Sequence, residues 1–129
     1  VTRLTDFFLA LGFAQVVETT PGEHDRVIAY TSQLAHIVSS AYVKSPTAEE
    51  HHGFSAGSYR DMTRVARLNE ELWTELFLEN RAPLKAELDG LIARLSDFSQ
   101  ALGANDAGTL RGLLREGREI KERIDAEHD

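Results

Sequence analysis

The sequence has no cysteine among its 129 residues, so disulfide bonds and thiolate metal sites are excluded. No apolar run approaches the roughly 20 residues that a membrane span requires. The first residues also lack the basic and then apolar pattern of a secretory signal peptide. These absences predict a protein that has no membrane partner, and the cytoplasm is its expected location.

Basic residues are scarce, because 14 lysines and arginines stand against 21 acidic residues and the net charge is -7. A nucleic-acid partner is not expected, since binding to phosphates needs a basic face. The small cluster of Arg60, Arg64 and Arg67 could still hold a small anion. The sequence also lacks the GxGxxG dinucleotide motif, the P-loop and the nucleophile elbow.

The pattern of apolar residues predicts helices along most of a single domain. Residues 1–19 predict a helix and then one strand, which would have no partner strand in an otherwise helical chain. Thr20, Pro21 and Glu23 form a capping box and predict that a helix begins at Pro21. After a loop over 44–60, the remaining predicted helices cover 58–68, 70–79, 81–102 and 109–127, with Asn69 and Asn80 as N-caps.

The segment HDRVIAYTSQLAH, residues 24–36, carries many polar residues for a core helix. On a regular helix an apolar face and a separate small, polar face are predicted: Val27, Thr31, Leu34, Val38 and Tyr42 on the first, and Asp25, Ala29, Ser32 and His36 on the second. Two interpretations of the histidines stay open. His24 and His36 either belong to a binding site, or they are a surface residue near a cap and a satisfied core residue.

The residues around Arg64 also allow two interpretations. Asp61 precedes Arg64 by one helical turn, and Arg60, Arg64 and Arg67 are predicted to form one ridge of a helix. Arg64 either binds a carboxylate, oriented by Asp61, or makes only an exposed ion pair. A metal site is not predicted, because the acids and histidines at 49–52 lack the HExxH spacing.

Large apolar residues predict a homodimer, since they exceed what one small bundle can bury. The residues concerned are Leu72, Trp73, Leu76, Phe77, Leu88, Leu91, Leu95 and Phe98. Trp73, Leu76 and Phe77 are interpreted as core or interface. The last predicted helix directs further apolar residues toward a partner, namely Leu110, Leu113, Leu114, Ile120 and Ile124.

Three segments, taken in order, resemble the C-terminal helical domain of prephenate dehydrogenase: PGEHDRVIAYTSQLAH, GFSAGSYRDMTRVARLNEELWTELFLENR and LLREGREIKERID. The most specific parts are the His-Asp pair at the helix start, the Ser-x-Leu-x-His element and the Arg-Asp-x-Thr-Arg-x-Ala element. The resemblance implies an all-α helical bundle of the 6-phosphogluconate dehydrogenase C-terminal type. It further implies that residues 1–19 are the last helix and strand of a Rossmann domain, and that 20–129 form the helical dimerisation and substrate-binding domain.

The same resemblance implies an oxidoreductase of tyrosine biosynthesis that oxidatively decarboxylates prephenate to 4-hydroxyphenylpyruvate. NAD or NADP would be the hydride acceptor in the full-length enzyme, and arogenate is the alternative substrate. The dinucleotide-binding domain is expected to be missing here, together with the principal catalytic histidine. This chain alone is therefore predicted to bind no cofactor and to be inactive.

His24, His36, Asp61 and Arg64 match the substrate-pocket positions of the family. Arg64 matches the arginine that meets a substrate carboxylate and His36 a pocket histidine, while His24 and Asp61 are implied to lie near the dimer boundary. Many members have a histidine and a proline where this chain has Gln33 and Ala35, so no role of that histidine can be carried over. The alternative function is a free-standing helical homodimer that binds a small carboxylate without catalysis.

Overall fold

The computed structural model describes residues 20–50 and 57–128, and their regular structure is entirely helical, as predicted. In chain order the elements are α1 (Pro21–Ile28), a π-helical turn (Ala29–Gln33), α2 (Leu34–Val43), a 3₁₀ turn (Pro46–Glu50), α3 (Gly57–Thr63), α4 (Glu70–Glu79), α5 (Arg81–Gly103) and α6 (Ala107–His128). The helix and strand predicted within residues 1–19 lie outside the described residues. None of the described helices combines the length and the apolar character that crossing a bilayer requires.

The first helix begins as the capping box predicts, because Thr20 Oγ1 accepts a hydrogen bond from the Glu23 N–H at 3.2 Å. It does not continue as a regular α-helix, however. In the π turn, Leu34 N–H donates to the carbonyl of Ala29, five residues earlier. Residues five apart therefore align across this turn instead of residues four apart. The prediction of one regular α-helix is wrong at this turn.

The π turn changes which residues are buried. Val27 and Tyr42, both assigned to the predicted apolar face, are 52% and 50% exposed. Ser32 and Gln33, by contrast, are buried. The predicted apolar face is therefore wrong at Val27 and Tyr42, whereas Leu34 is buried as predicted. The wider turn shifts the register, and α4 packs against the side that carries Gln33.

The hydrophobic core between α1 and α4 is small. Ile28, Trp73 and Leu76 form its buried cluster, and Leu68 and Phe77 pack against it. Trp73 and Leu76 thus belong to the core of the chain itself, which decides between the two interpretations given for them. They do not remain available for a dimer interface, and for these two residues that prediction is wrong.

The helix around the arginines is shorter than the predicted 58–68, because α3 ends at Thr63. The Thr63 hydroxyl donates to the carbonyl of Tyr59, and the Ala66 N–H donates to the carbonyl of Thr63 in a tight turn. The chain must then become extended at Asn69, which caps α4 by accepting from the N–H groups of Glu71 and Leu72. Arg64 and Arg67 therefore follow α3, and the predicted arginine ridge is wrong.

The predicted loop over 44–60 contains more regular structure than expected. Glu49 and Glu50 lie in the 3₁₀ turn, and α3 already begins at Gly57. His51 and His52 lie outside the described residues.

The chain divides into two compact units between Leu88 and Asp89, within α5. In the second unit, α5 ends at Gly103, and Asn105 two residues later has a left-handed φ of 54°. The Asp106 N–H donates to Ala101 O at 2.9 Å and the Asn105 N–H donates to Leu102 O at 3.2 Å. These two bonds form a Schellman motif, with asparagine at the position that usually holds glycine.

Asp106 caps α6, which begins two residues before the predicted Thr109. Its Oδ1 accepts from the Thr109 N–H at 3.0 Å and its Oδ2 accepts from the Thr109 hydroxyl at 2.6 Å. Both bonds favour the ionised carboxylate and lower the pKa of Asp106 below its ordinary value of 3.8, the hydroxyl contributing most.

Candidate functional site

Side chains of the π turn and α2 share a cleft with side chains at the end of α3. Its volume is about 940 Å³, and it lies entirely within the first unit. The cleft is lined by Tyr30, Thr31, Ser32, Leu34, Ala35, His36, Val38, Asp61, Met62, Arg64 and Val65. Most of these side chains are apolar, and one basic and one acidic residue lie among them. Such a composition suits a ligand that has both an apolar ring and an anionic group.

Three of the four predicted site residues meet at this cleft, namely His36, Asp61 and Arg64. His24 is not among its lining residues, and it lies half-buried in the first turn of α1. The predicted polar face also divides, since Ser32 and His36 line the cleft whereas Asp25 does not. The cleft brings together residues from two helices that only the tertiary structure places side by side.

Two contacts hold the His36 imidazole. Its Nδ1 lies 2.7 Å from the carbonyl oxygen of Ser32, and its ring stacks on Trp73 with the centroids 3.9 Å apart and an interplanar angle of 24°. A carbonyl oxygen can only accept, so Nδ1 must carry the proton. In the neutral ring Nε2 is then the hydrogen-bond acceptor.

Arg64 and Asp61 are both exposed at the edge of the cleft. Within residues 20–50 and 57–128, no ion pair joins them and no carboxylate neutralises the Arg64 guanidinium. The ion-pair interpretation is therefore not favoured, and the guanidinium keeps its donors for another anion. Arginine is suited to this because its planar fork matches both oxygens of a carboxylate.

A buried amide network lies directly behind the π turn. Gln33 is 1% exposed, and its Nε2 donates to the carbonyl of Leu76 at 3.1 Å. Its Oε1 accepts from Asn80 Nδ2 at 2.7 Å, and the same Nδ2 donates to the carbonyl of Asp25 at 2.9 Å. Both amide orientations follow from chemistry, because carbonyl oxygens accept only.

Sequence reasoning missed the contributions of Asn80 and Trp73 to this region. Asn80 was predicted as an N-cap, and its backbone carbonyl does accept from Leu84 N–H at the start of α5. Its side chain instead joins the buried network. Trp73 was read as core or interface, which gives no hint of its stack on His36. No local sequence pattern predicts either contact, because the two residues of each pair lie in different helical segments.

The lining residues do not fit a dinucleotide. Its pyrophosphate needs a glycine-rich turn at a helix N-terminus, whereas this cleft is formed by residues within a long helical run and at the end of α3. Within the described ranges, no group of three or more histidine, aspartate or glutamate residues converges to hold a metal ion.

Comparison with known proteins adds independent observations. Residues 20–116 match the family model described as prephenate dehydrogenase, dimerization domain. Cyclohexadienyl dehydrogenase of Zymomonas mobilis is 32% identical over 100% of this chain and 46% of its own length. Prephenate dehydrogenase of Bacillus subtilis is 26% identical over 84% of this chain and 31% of its own length. The chain thus spans less than half the length of these curated relatives.

Two solved structures share the fold. Synechocystis arogenate dehydrogenase has a TM-score of 0.72 at 22% identity, over 95% of this chain and 46% of that chain. Prephenate dehydrogenase from A. aeolicus, in complex with hydroxyphenyl propionate and NAD+, has a TM-score of 0.69 at 26% identity, over 84% of this chain and 40% of that chain. The helical architecture is therefore one that arogenate and prephenate dehydrogenases contain.

Proposed function

Because this chain belongs to the prephenate dehydrogenase family, as its dimerization domain, we propose that its cleft binds the substrate carboxylate in an enzyme that oxidises prephenate or arogenate. The observation that supports this most is the grouping of His36, Asp61 and Arg64 around one cleft. The resemblance of the sequence to this family predicts the same three residues as substrate-pocket positions. In the proposed full-length enzyme the product would be 4-hydroxyphenylpyruvate when prephenate is the substrate, in tyrosine biosynthesis in the cytoplasm.

Each lining residue has a role in this proposal. Arg64 donates two parallel hydrogen bonds to a substrate carboxylate, and Asp61, which lines the same cleft without pairing with Arg64, repels a misplaced second anion. His36 accepts a hydrogen bond at Nε2. Apolar side chains such as Leu34, Val38 and Val65 surround the ring of the substrate and exclude water. This strengthens the contact between the Arg64 guanidinium and the substrate carboxylate.

The redox step is not assigned to this chain. We propose that NAD or NADP is held by a dinucleotide-binding domain of the full-length protein, of which residues 1–19 would be the last part, and that the helical domain covers 20–129. The bound nicotinamide would supply hydride acceptance. The A. aeolicus relative in complex with NAD+ supports this division. Without that domain the chain is predicted to be inactive.

We also propose that the chain forms a homodimer through the second unit. Several large apolar side chains there are exposed, and they belong to α5 and α6: Ile92, Leu95, Leu102, Leu114, Ile120 and Ile124. A symmetric interface is the usual way to cover such a surface. The family description supports this choice of partner. His24 lies outside the cleft lining, so its expected place near the dimer boundary stays a prediction.

The proposed function is tested by Arg64→Ala in the full-length protein, with initial rates of prephenate-dependent NAD or NADP reduction. We expect KM to rise by tens- to thousand-fold, as about 2 to 4 kcal/mol for a desolvated charged contact implies. Arg67→Ala is the matched control, because Arg67 is exposed but does not line the cleft, and its KM should not change. An unchanged KM in Arg64→Ala would contradict the proposal, and binding of prephenate without any oxidation would favour a carboxylate-binding homodimer.

A further inference from the structure

We propose that Trp73 is a positioning residue for His36, and that the two together present Nε2 to the cleft as a hydrogen-bond acceptor. The inference rests on the proposed function and deepens it. It concerns how one residue of the cleft is held, and Arg64 remains the residue that binds the carboxylate.

The first step is the orientation of the imidazole. A histidine side chain in solution samples several rotamers and both tautomers. Here the 2.7 Å contact from Nδ1 to Ser32 O fixes one ring nitrogen as donor, and the stack on Trp73 fixes the plane of the ring. A ring held at one edge and on one face keeps a single orientation. Nε2 is then the nitrogen through which His36 can meet a ligand.

The second step is the rigidity of the support beneath the ring. Trp73 is buried in the core cluster with Ile28 and Leu76, and Phe77 lies beside it with the ring centroids 5.6 Å apart. Buried aromatic rings in close packing keep defined rotamers. The indole therefore presents a fixed surface on which the imidazole lies.

The third step is the link between α4 and the π turn. Gln33 donates to Leu76 O on α4, and Asn80 Nδ2 bonds both Gln33 Oε1 and Asp25 O. These bonds attach the turn that carries Ser32 O to the helix that carries Trp73. The two contacts of His36 therefore keep fixed positions relative to each other, because neither the π turn nor α4 can shift without breaking a buried hydrogen bond.

The test uses nitrogen-15 histidine labelling of this chain and two-bond proton–nitrogen spectra, which distinguish the tautomers. At about pH 8 an ordinary histidine is neutral. We expect the His36 signal, assigned through His36→Gln, to show the proton on Nδ1. A proton on Nε2 would overturn the proposal, whatever the protein's activity.

Variants of the full-length protein then separate positioning from packing. Trp73→Leu should shift the His36 ring signals, because the ring plane is no longer held, and raise substrate KM about two- to tenfold, with Trp73→Phe restoring most of both. Leu78→Ala is the matched control: it truncates a side chain of the same helix that is 62% exposed, and it should leave the His36 spectrum and KM unchanged. If Trp73→Leu does not fold, Trp73→Phe should still shift the His36 ring protons, since a smaller ring lies beneath them.

The outcomes distinguish this inference from the proposed function. An unchanged His36 spectrum and KM in a folded Trp73 variant would overturn the positioning role, while a raised KM in Arg64→Ala would leave the carboxylate site intact. Loss of the Arg64 effect, with the His36 tautomer as expected, would instead contradict the proposed function and leave the positioning of His36 intact.

Discussion

The side-chain amides of Gln33 and Asn80 meet in the protein interior, with Asn80 Nδ2 donating to Gln33 Oε1 at 2.7 Å across 47 residues of sequence. Both side chains are buried, and each makes a further bond to a backbone carbonyl. The pair thus joins the π turn to the end of α4. A buried amide that loses its hydrogen-bond partner lowers the free energy of unfolding, so mutation of either residue measures the contribution of the network.

Asn80→Ala is expected to lower the free energy of unfolding by about 1 to 3 kcal/mol, because it leaves the buried Gln33 Oε1 without its donor and removes one of two hydrogen bonds to Asp25 O. The double variant Gln33→Ala/Asn80→Ala should be less destabilised than the sum of the single variants, with a coupling of about 0.5 to 3 kcal/mol. Urea unfolding followed by circular dichroism measures all three. Gln100→Ala is the control, since its exposed amide donates to Ser96 Oγ at the surface, and its effect should stay within about 0.5 kcal/mol. Strict additivity would contradict the network.

Leu76→Ala tests the core cluster directly. Leu76 is 1% exposed at the centre of that cluster, so its truncation leaves a cavity and should cost about 2 to 5 kcal/mol. Leu78 lies on the same helix but is 62% exposed, and Leu78→Ala should change the free energy of unfolding by at most about 0.5 kcal/mol. Equal effects of the two truncations in thermal unfolding would show that the core has been misplaced.

The Asp106 cap makes stability depend on pH in a stated direction. Its pKa is lowered in the folded chain, chiefly by the Thr109 hydroxyl, so the folded state binds fewer protons than the unfolded state. The stabilisation from this group is fully present above pH 3.8 and is lost as pH falls through the lower folded pKa. In thermal unfolding at several pH values, the melting temperature of Asp106→Asn should therefore fall less on acidification than that of the unaltered chain.

Thr109→Ala removes the hydroxyl that lowers this pKa most, while its N–H still bonds Asp106. We expect an acid sensitivity between those of the unaltered chain and Asp106→Asn. Acid sensitivity identical in all three chains would mean that the cap does not act through the charge of Asp106.

The left-handed backbone of Asn105 predicts that glycine raises stability at position 105 and lowers it at position 104. Asn105→Gly should raise the melting temperature, because glycine adopts a φ of 54° without steric cost. Asn105→Ala should lower stability by about 1 kcal/mol. Ala104→Gly is the control: φ is not left-handed there, so glycine only adds backbone entropy to the unfolded chain and should destabilise. A lower melting temperature in Asn105→Gly would contradict the Schellman assignment.

The proposed dimer is tested by light scattering. The unaltered chain should show twice its mass of 14.4 kDa, and Leu95→Glu should show the monomer, because a carboxylate cannot be buried unpaired. Leu95 is 56% exposed on α5. Ala93→Glu places the same charge about 200° around that helix and should remain a dimer. A monomeric unaltered chain would refute the proposal.

The local sequence determined where most helices begin. Thr20 and Asn69 each bond N–H groups no more than three residues away, so a short pattern contains both partners. The end of α3 was harder to predict, since the apolar repeat continues past Thr63 and only the turn before Asn69 stops the helix. The π turn was missed for the same reason, because a regular repeat assumes four-residue spacing throughout.

The candidate site divides in the same way. The residue types and their order predicted His36, Asp61 and Arg64 as a group, through resemblance to a family, while His24 was not brought to the cleft. The sequence by itself determined an all-helical chain, its caps and the chemistry available at each position, since these depend on neighbouring residues. The tertiary structure alone decided that Trp73 lies beneath His36 and Asn80 beside Gln33. These contacts depend on how the helices pack, and the local sequence of each helix does not specify its packing partner.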